Sequence, residues 1–222
     1  MRVIFVSHNF AVLMLPALTE QRGKALQCSG AFATARASLD GIWTPPAEHG
    51  TRRRMSVYDE TFAPGPDTGV PLRHAFGRFG TGVTVITTAS RIGPLGFTAN
   101  SFSSVSLEPA LVLWSLANTS RRHDAFAEAQ HYSIHILTDA QADLALHFAN
   151  RGDGFDAYPH DIGQHGVPLL HDCLARFDCT HFAAHAAGDH SIIVGRVTQV
   201  AAKADGVGLA FDQGQYGRFQ AF

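Results

Sequence analysis

The chain has 222 residues, 45% of them hydrophobic and 16% charged, with a formal net charge of −2. That length and apolar content suit one ordinary domain with a sizeable core, and the near-neutral balance lacks the basic stripe that nucleic-acid binding requires. Three cysteines, Cys28, Cys173 and Cys179, are too few for a disulfide scaffold, and an odd count suits a reducing compartment, so the expected location is cytoplasmic.

Residues 1–54 show no sustained helix or strand period and end in Gly50-Thr51-Arg52-Arg53-Arg54, just before Met55. They are expected to be a disordered leader or a non-native extension, with Met55 as the start of the working protein. Within them Phe10–Leu18 is the nearest approach to a membrane segment, but it is short and broken by Pro16. It falls well below the roughly 20 apolar residues that a span needs, so no membrane association is expected. Residues 55–70 read as a linker, rich in Pro and Gly, and Pro71 opens a helix through Arg78.

The glycine cluster Gly77-Arg78-Phe79-Gly80-Thr81-Gly82 then feeds a β-branched run, predicting a buried strand over Val83–Thr88. Next comes Gly93-Pro94-Leu95-Gly96-Phe97-Thr98-Ala99-Asn100-Ser101-Phe102-Ser103-Ser104-Val105-Ser106, a Gly-Pro-Leu-Gly turn followed by hydroxyl and amide side chains. Small polar residues let backbone N–H groups approach an anion, so this segment suits a flat, phosphorylated ligand; the alternative is a structural Ser-rich loop. Leu111–Leu116 is a second strand, and Asn118-Thr119-Ser120-Arg121-Arg122 follows it with hydroxyls and two guanidinium forks that match phosphate.

Further along, Arg122–Ala129 reads as a short helix with Phe126 inward, and Tyr132–Leu137 as a strand. Asp139–Asn150 reads as a helix capped by Thr138 or Asp139, with Ala140, Leu144, Ala145 and Phe148 as its apolar stripe. Gly152–Leu170 is a long loop placed to cover a ligand, and Ala175–Phe182 and Ser191–Val200 are strands. Five strand runs with short helices predict a mainly β fold of barrel type. The glycine cluster precedes a strand, whereas the dinucleotide fingerprint follows one and opens a helix, so no doubly wound domain is expected. His171, Cys173, Cys179, His181, His185 and His190 lie close together in sequence, but their spacing matches no strong zinc pattern; no metal site is expected, and Cys173 and Cys179 read as small buried hydrophobes.

The blocks FGRFGTGVTVITT, GPLGFTANSFSSVSLEPALVLWSL, FAEAQHYSIHILTDAQADLALHFA and GDHSIIVGRV, in this order and spacing, resemble the flavin reductase family, which includes the reductase components of two-component flavin monooxygenases. The resemblance covers about residues 70–220. It implies an FMN-binding split β-barrel of Greek-key type over residues 71–222, completed across a homodimer. It also implies NAD(P)H-dependent reduction of FMN or FAD, with hydride passing from nicotinamide C4 to flavin N5 and the reduced flavin supplied to a partner monooxygenase. By the same resemblance, Thr81, Gly82, Val83 and Thr84 belong to the flavin pocket. Thr98, Ala99, Asn100, Ser101, Ser103 and Ser104 serve the ring edge, ribityl chain and phosphate, with Ser106 as an additional candidate. Ser120 and Arg121, or Arg122 in place of the latter, face the phosphate. His190 contacts the pyridine nucleotide and Asp189 orients it, while Tyr216 packs near the ring or in the barrel core. Two other readings stay open: a flavoprotein that retains FMN and reduces another small acceptor, and a flavin-binding protein without turnover.

Overall fold

The computed structural model describes residues 58–220 and the backbone of two short strands, β1 (Ile4–Val6) and β2 (Ala11–Leu13), which pair antiparallel. Apart from those strands, the expectations for residues 1–54 and for Met55 lie outside the described residues. Contacts divide the chain at Ala63/Pro64, and the unit Pro64–Phe222 carries the fold that follows.

In chain order that unit holds α1 (Gly69–Gly77), β3 (Thr81–Gly82), β4 (Thr84–Ser90), β5 (Gly93–Ala99), β6 (Ser103–Leu107), β7 (Ala110–Ala117), α2 (His123–Ala127) and β8 (His131–Ile136). It continues through α3 (Ala142–Asn150), β9 (His160–Ile162), β10 (Pro168–Leu170), β11 (Ala175–Ala187), β12 (His190–Ala202), β13 (Leu209–Asp212) and β14 (Gln215–Arg218). All five predicted strands and the three predicted helices are present. Seven strands form one antiparallel sheet in the order β5-β4-β8-β11-β12-β7-β6.

The two edges of that sheet, β5 and β6, are consecutive in the chain and joined only by Asn100, Ser101 and Phe102. Seven flat strands spread over about 29 Å, whereas a three-residue link reaches about 14 Å at most. The sheet therefore has to curl, and two contacts tie β5 and the link to β7 across that curl. Ser101 Oγ accepts the Ser115 N–H at 2.8 Å, and the Phe97 ring lies 5.8 Å from Trp114.

The curl encloses one core, built from Ile86, Trp114, Leu116, Phe126, Tyr132, Ile134 and Ile193 among others. A second core, with Val83, Val85, Leu144, Ala145, Phe148 and Phe155, packs α3 against the outside of β4. Strand β4 is thus covered on both faces, which explains its continuous β-branched run without polar alternation. In α3, Leu144, Ala145 and Phe148 are buried as expected, while Ala140 lies outside the helix in a 3-10 turn and is exposed. Thr138 forms the N-terminal capping box with Gln141.

Two further expectations are corrected here. The Gly-Pro-Leu-Gly turn is strand β5. Proline is tolerated because β5 is an edge, and Gly96 is needed because a Cβ there would overlap the Phe148 ring. The expected loop Gly152–Leu170 contains β9 and β10, paired antiparallel, and buries Phe155. The hairpin β13–β14 adds two strands beyond the five expected, joined by Gln213-Gly214, whose φ of 49° and 83° make a two-residue turn of the kind that left-handed backbone permits.

Candidate functional site

The nominated residues fall on four neighbouring pieces of the curled sheet. Thr81 lies in β3, which pairs with β13, and its hydroxyl is buried without a hydrogen-bond partner among the described residues. Gly82 beside it is exposed, and a Cβ there would meet nothing within 4 Å. Val83 turns the other way: its side chain is core, its N–H donates to Leu209 O and its carbonyl accepts from Leu137 N–H. It has no polar group left for a ligand.

Thr84 and Thr98 hold the sheet and helix together. Thr84 Oγ1 donates to Ala99 O at 2.7 Å, across the β4–β5 pair, and Thr98 Oγ1 donates to Ala145 O in α3 at 2.7 Å. Ala99 itself is buried in the first core. We expect Thr98→Val to lower stability by about 1 kcal/mol, the net worth of one such bond, while the flavin dissociation constant stays within twofold. A denaturation curve and a fluorescence titration check the two halves.

Beyond Ala99 the chain becomes available to solvent. Asn100, Ser103 and Ser104 are exposed, and β6 carries a bulge between Ser104 and Ser106 that re-aims its side chains. Ser103 Oγ makes only a 3.2 Å bond to Ser104 O. Ser101 is committed to Ser115, as described above.

The loop after β7 separates its two arginines sharply. Arg122 donates to the carbonyls of Gly96, Phe148 and Arg151 at 2.9, 2.7 and 2.7 Å, and to that of Ala149 at 3.0 Å. Its guanidinium also lies 5.1 Å from the Phe97 ring centroid. Burial, and then the neighbouring Arg121, lower its pKa. It caps the C-terminus of α3, where unpaired carbonyls and the helix dipole favour a cation, so its donors are engaged by the fold. Arg121 is exposed, and Ser120 Oγ accepts the Arg122 N–H at 3.2 Å.

The loop meets the β11–β12 turn, where Gly188 has φ of 64° and His190 pairs with Ala187 on one side and Ala117 on the other. His190 Nδ1 lies 2.7 Å from Asp189 Oδ1, and this contact holds the Asp189 carboxyl below the usual carboxylate range. The nominated residues therefore follow one continuous seam: Thr84 pairs with Ala99, Ser101 with Ser115, and Ala117 with His190. Composition carried no signal for Ser115, or for Asn118, whose N–H donates to Asp189 O at 2.9 Å, because their partners, Ser101 and the β11–β12 turn, come beside them only when the sheet forms and curls.

Not everything joins the seam. Tyr216 packs on Phe211 at 5.4 Å beside the second core, and burial raises its pKa. A cavity of about 360 Å³ lies elsewhere, lined by Gly163, Gln164 and His165 together with Arg176, Asp178 and Thr180 of β11. The expected ligand-covering loop lines this cavity, but none of the nominated flavin residues does. Among the described residues no group of three or more His, Cys, Asp or Glu is arranged to hold a metal, and Cys173 and Cys179 are buried, their thiol pKa values pushed up by burial to about 11 and about 12. No helix among the described residues is long and apolar enough to cross a membrane.

Residues 76–220 match the model of the Flavin reductase like domain. The chain is 49% identical over 161 residues to the FMN reductase (NADH) SmoA of Agrobacterium fabrum, covering 72% of this chain and 92% of that protein. It is 46% identical over 147 residues to the reductase component of the flavin-dependent trigonelline monooxygenase of Acinetobacter baylyi, covering 65% of this chain but only 47% of that protein. The structure of the Streptomyces globisporus NADH:FAD oxidoreductase SgcE6 superposes with a TM-score of 0.68 at 33% identity, covering 75% of this chain and 96% of that one. A family model that matches more than half of the chain, and a mainly β fold with short helices shared with that structure, lead to one conclusion: the chain belongs to the flavin reductase family.

Proposed function

We propose that this protein is an NAD(P)H:flavin oxidoreductase that supplies reduced flavin to a partner monooxygenase, and that the seam from Thr81 to His190 is where it works. The observation that carries the reading is the convergence on one seam of exposed hydroxyls, an uncommitted arginine and the Asp189–His190 pair. Relatives named as an FMN reductase, an NADH-dependent FAD reductase and monooxygenase reductase components support it. The unpartnered buried hydroxyl of Thr81 and the open space over Gly82 fit a polar ring edge at that point.

Bound flavin would accept hydride from the nicotinamide, so no side chain of the protein has to react. The protein's part is orientation. Thr81 and the neighbouring backbone hold the ring edge, Asn100, Ser103 and Ser104 the ribityl chain, and Ser120 and Arg121 the phosphate. Asp189 holds one edge of the His190 imidazole, leaving the other ring nitrogen for the pyridine nucleotide. The working domain spans residues 71–222 in this reading, as a cytoplasmic homodimer with either FMN or FAD and either NADH or NADPH.

Purified protein given NADH and FMN under air is expected to oxidise NADH in a steady, flavin-dependent way, followed by absorbance. No NADH loss would leave only a flavin-binding role. Flavin that stays bound in its reduced state through gel filtration would point to a flavoprotein serving a small acceptor directly. His190→Ala is expected to raise the apparent KM for NADH about tenfold, or roughly 1.4 kcal/mol, with flavin affinity within twofold; unchanged NADH kinetics would remove His190 from the site.

A further inference from the structure

Resting on the reading that His190 meets the nicotinamide, we infer that His123, acting through Ser191 and Asn118, is a positioning residue for the turn that carries His190. The need for such a device comes from where His190 sits. It stands at the tip of a long hairpin, and its side-chain partner Asp189 is 92% exposed, so that pair cannot fix the tip in space. The other side of the turn does so. Asn118 donates its N–H to Asp189 O at 2.9 Å and its Nδ2 to Gly188 O at 3.3 Å, while its Oδ1 accepts from Ser191 Oγ at 3.0 Å.

Proton bookkeeping then assigns the role of His123. Because Gly188 O can only accept, it fixes which end of the Asn118 amide is the donor, and Oδ1 is left facing Ser191. The single hydroxyl proton of Ser191 therefore goes to Asn118. In this arrangement Ser191 Oγ accepts from its remaining neighbour, His123 Nε2, at 3.1 Å, with Nε2–H as the donor. Nδ1 lies 3.0 Å from Asp124 Oδ1, which can only accept, so that contact requires a proton on Nδ1 as well; the carboxylate is 92% exposed and contributes little as a surface partner.

His123 can serve as an anchor because its own base is rigid. It opens α2, which Phe126 pins into the first core, and its N–H donates to Ser120 O at 2.9 Å. One path of contacts thus runs from the core through His123 and Ser191 to the His190 turn, with the candidate phosphate loop tied to the same point. No bond to a reacting atom is implied.

The test measures NADH KM, kcat and FMN affinity in the full chain for His123→Leu, Ser191→Ala, His123→Gln and Asp124→Ala. Loss of the donor in His123→Leu, or of the relay in Ser191→Ala, is expected to raise the NADH KM about five- to tenfold, with kcat and FMN affinity within about twofold. His123→Gln, whose amide N–H takes the place of Nε2–H, and Asp124→Ala are expected to stay within twofold of wild type. Combining His123→Leu with His190→Ala should raise KM no further than His190→Ala alone. An unchanged KM in His123→Leu, equal damage in His123→Gln, or additive effects in the double variant would each overturn the inference. Should His123→Leu fail to fold, Ser191→Ala decides by the same criterion. If His190→Ala itself leaves KM unmoved, the underlying reading of His190 fails; if only the His123 and Ser191 variants do so, the positioning role alone fails.

Discussion

Acidification from pH 7 to pH 4 is expected to remove about 3 kcal/mol of stability through a single residue, His135. This imidazole is wholly buried on β8 between β4 and β11, opposite Val85 and Arg176. Its Nδ1 donates to Val85 O at 3.0 Å and its Nε2 accepts the Leu170 N–H at 3.1 Å. Both nitrogens are therefore satisfied in the neutral ring. Protonation would set an Nε2–H against the Leu170 N–H and place an unsolvated charge in the core.

Burial is the main reason its pKa falls from 6.5 to about 4, with Val85 O and Asp178 opposing the fall and Arg176 adding to it. Because the folded value is depressed for a base, the unfolded chain binds the proton first. The stability contribution is complete above about pH 6.5 and is lost as pH falls toward 4. A shift from 6.5 to about 4, at about 1.4 kcal/mol per unit, gives the figure of about 3 kcal/mol. Urea denaturation at pH 7, 6, 5 and 4 should show this slope in the wild type and a flatter one in His135→Gln, whose amide donates and accepts without titrating. Parallel slopes in the two proteins would assign the acid sensitivity to other groups.

Replacing Arg122 by Ala is expected to lower stability by about 3–5 kcal/mol. Its guanidinium bonds to four carbonyls at the end of α3 and on β5, and bonds to a charged donor contribute roughly 1.5–3 kcal/mol each without adding fully. Its removal leaves part-buried carbonyls unpaired and frees the α3 terminus from β5. For a chain of this size that corresponds to a fall in Tm of about 10 °C. Arg122→Lys should recover only part, since one ammonium cannot reproduce the planar fork. Arg121→Ala should change stability by less than about 0.5 kcal/mol, as exposed substitutions usually do, yet weaken flavin binding several-fold. A melting curve and a flavin titration on the three variants distinguish the neighbours; equal stability loss in both alanine variants would contradict their separation.

The contrast between Arg121 and Arg122 shows where reading the chain runs out. Both are arginines in one polar loop after a strand, and linear spacing offers no reason to prefer either as a phosphate ligand. The preference appears only when α3, well downstream in sequence, delivers its carboxyl end to Arg122. Thr84 and Thr98 behave the same way. Their hydroxyls read as ligand donors in a Ser/Thr-rich run, but strand pairing and helix docking turn them onto Ala99 O and Ala145 O. Strand β5 was hidden for a different reason. Gly and Pro argue for a turn by local propensity, and only the edge position and the Phe148 ring over Gly96 make a strand the better outcome.

By itself the sequence determined the mainly β class, the five central strands, the three helices and the family. It did so because apolar periodicity, glycine clusters and family blocks are local in the chain. Tertiary structure alone decided which polar groups face outward along the seam and which are consumed by the fold. Closing a seven-stranded sheet through three residues brings Ser101 to Ser115 and sets the loop after β7 against the His190 turn. Those contacts join residues far apart in sequence, so no local pattern could carry them.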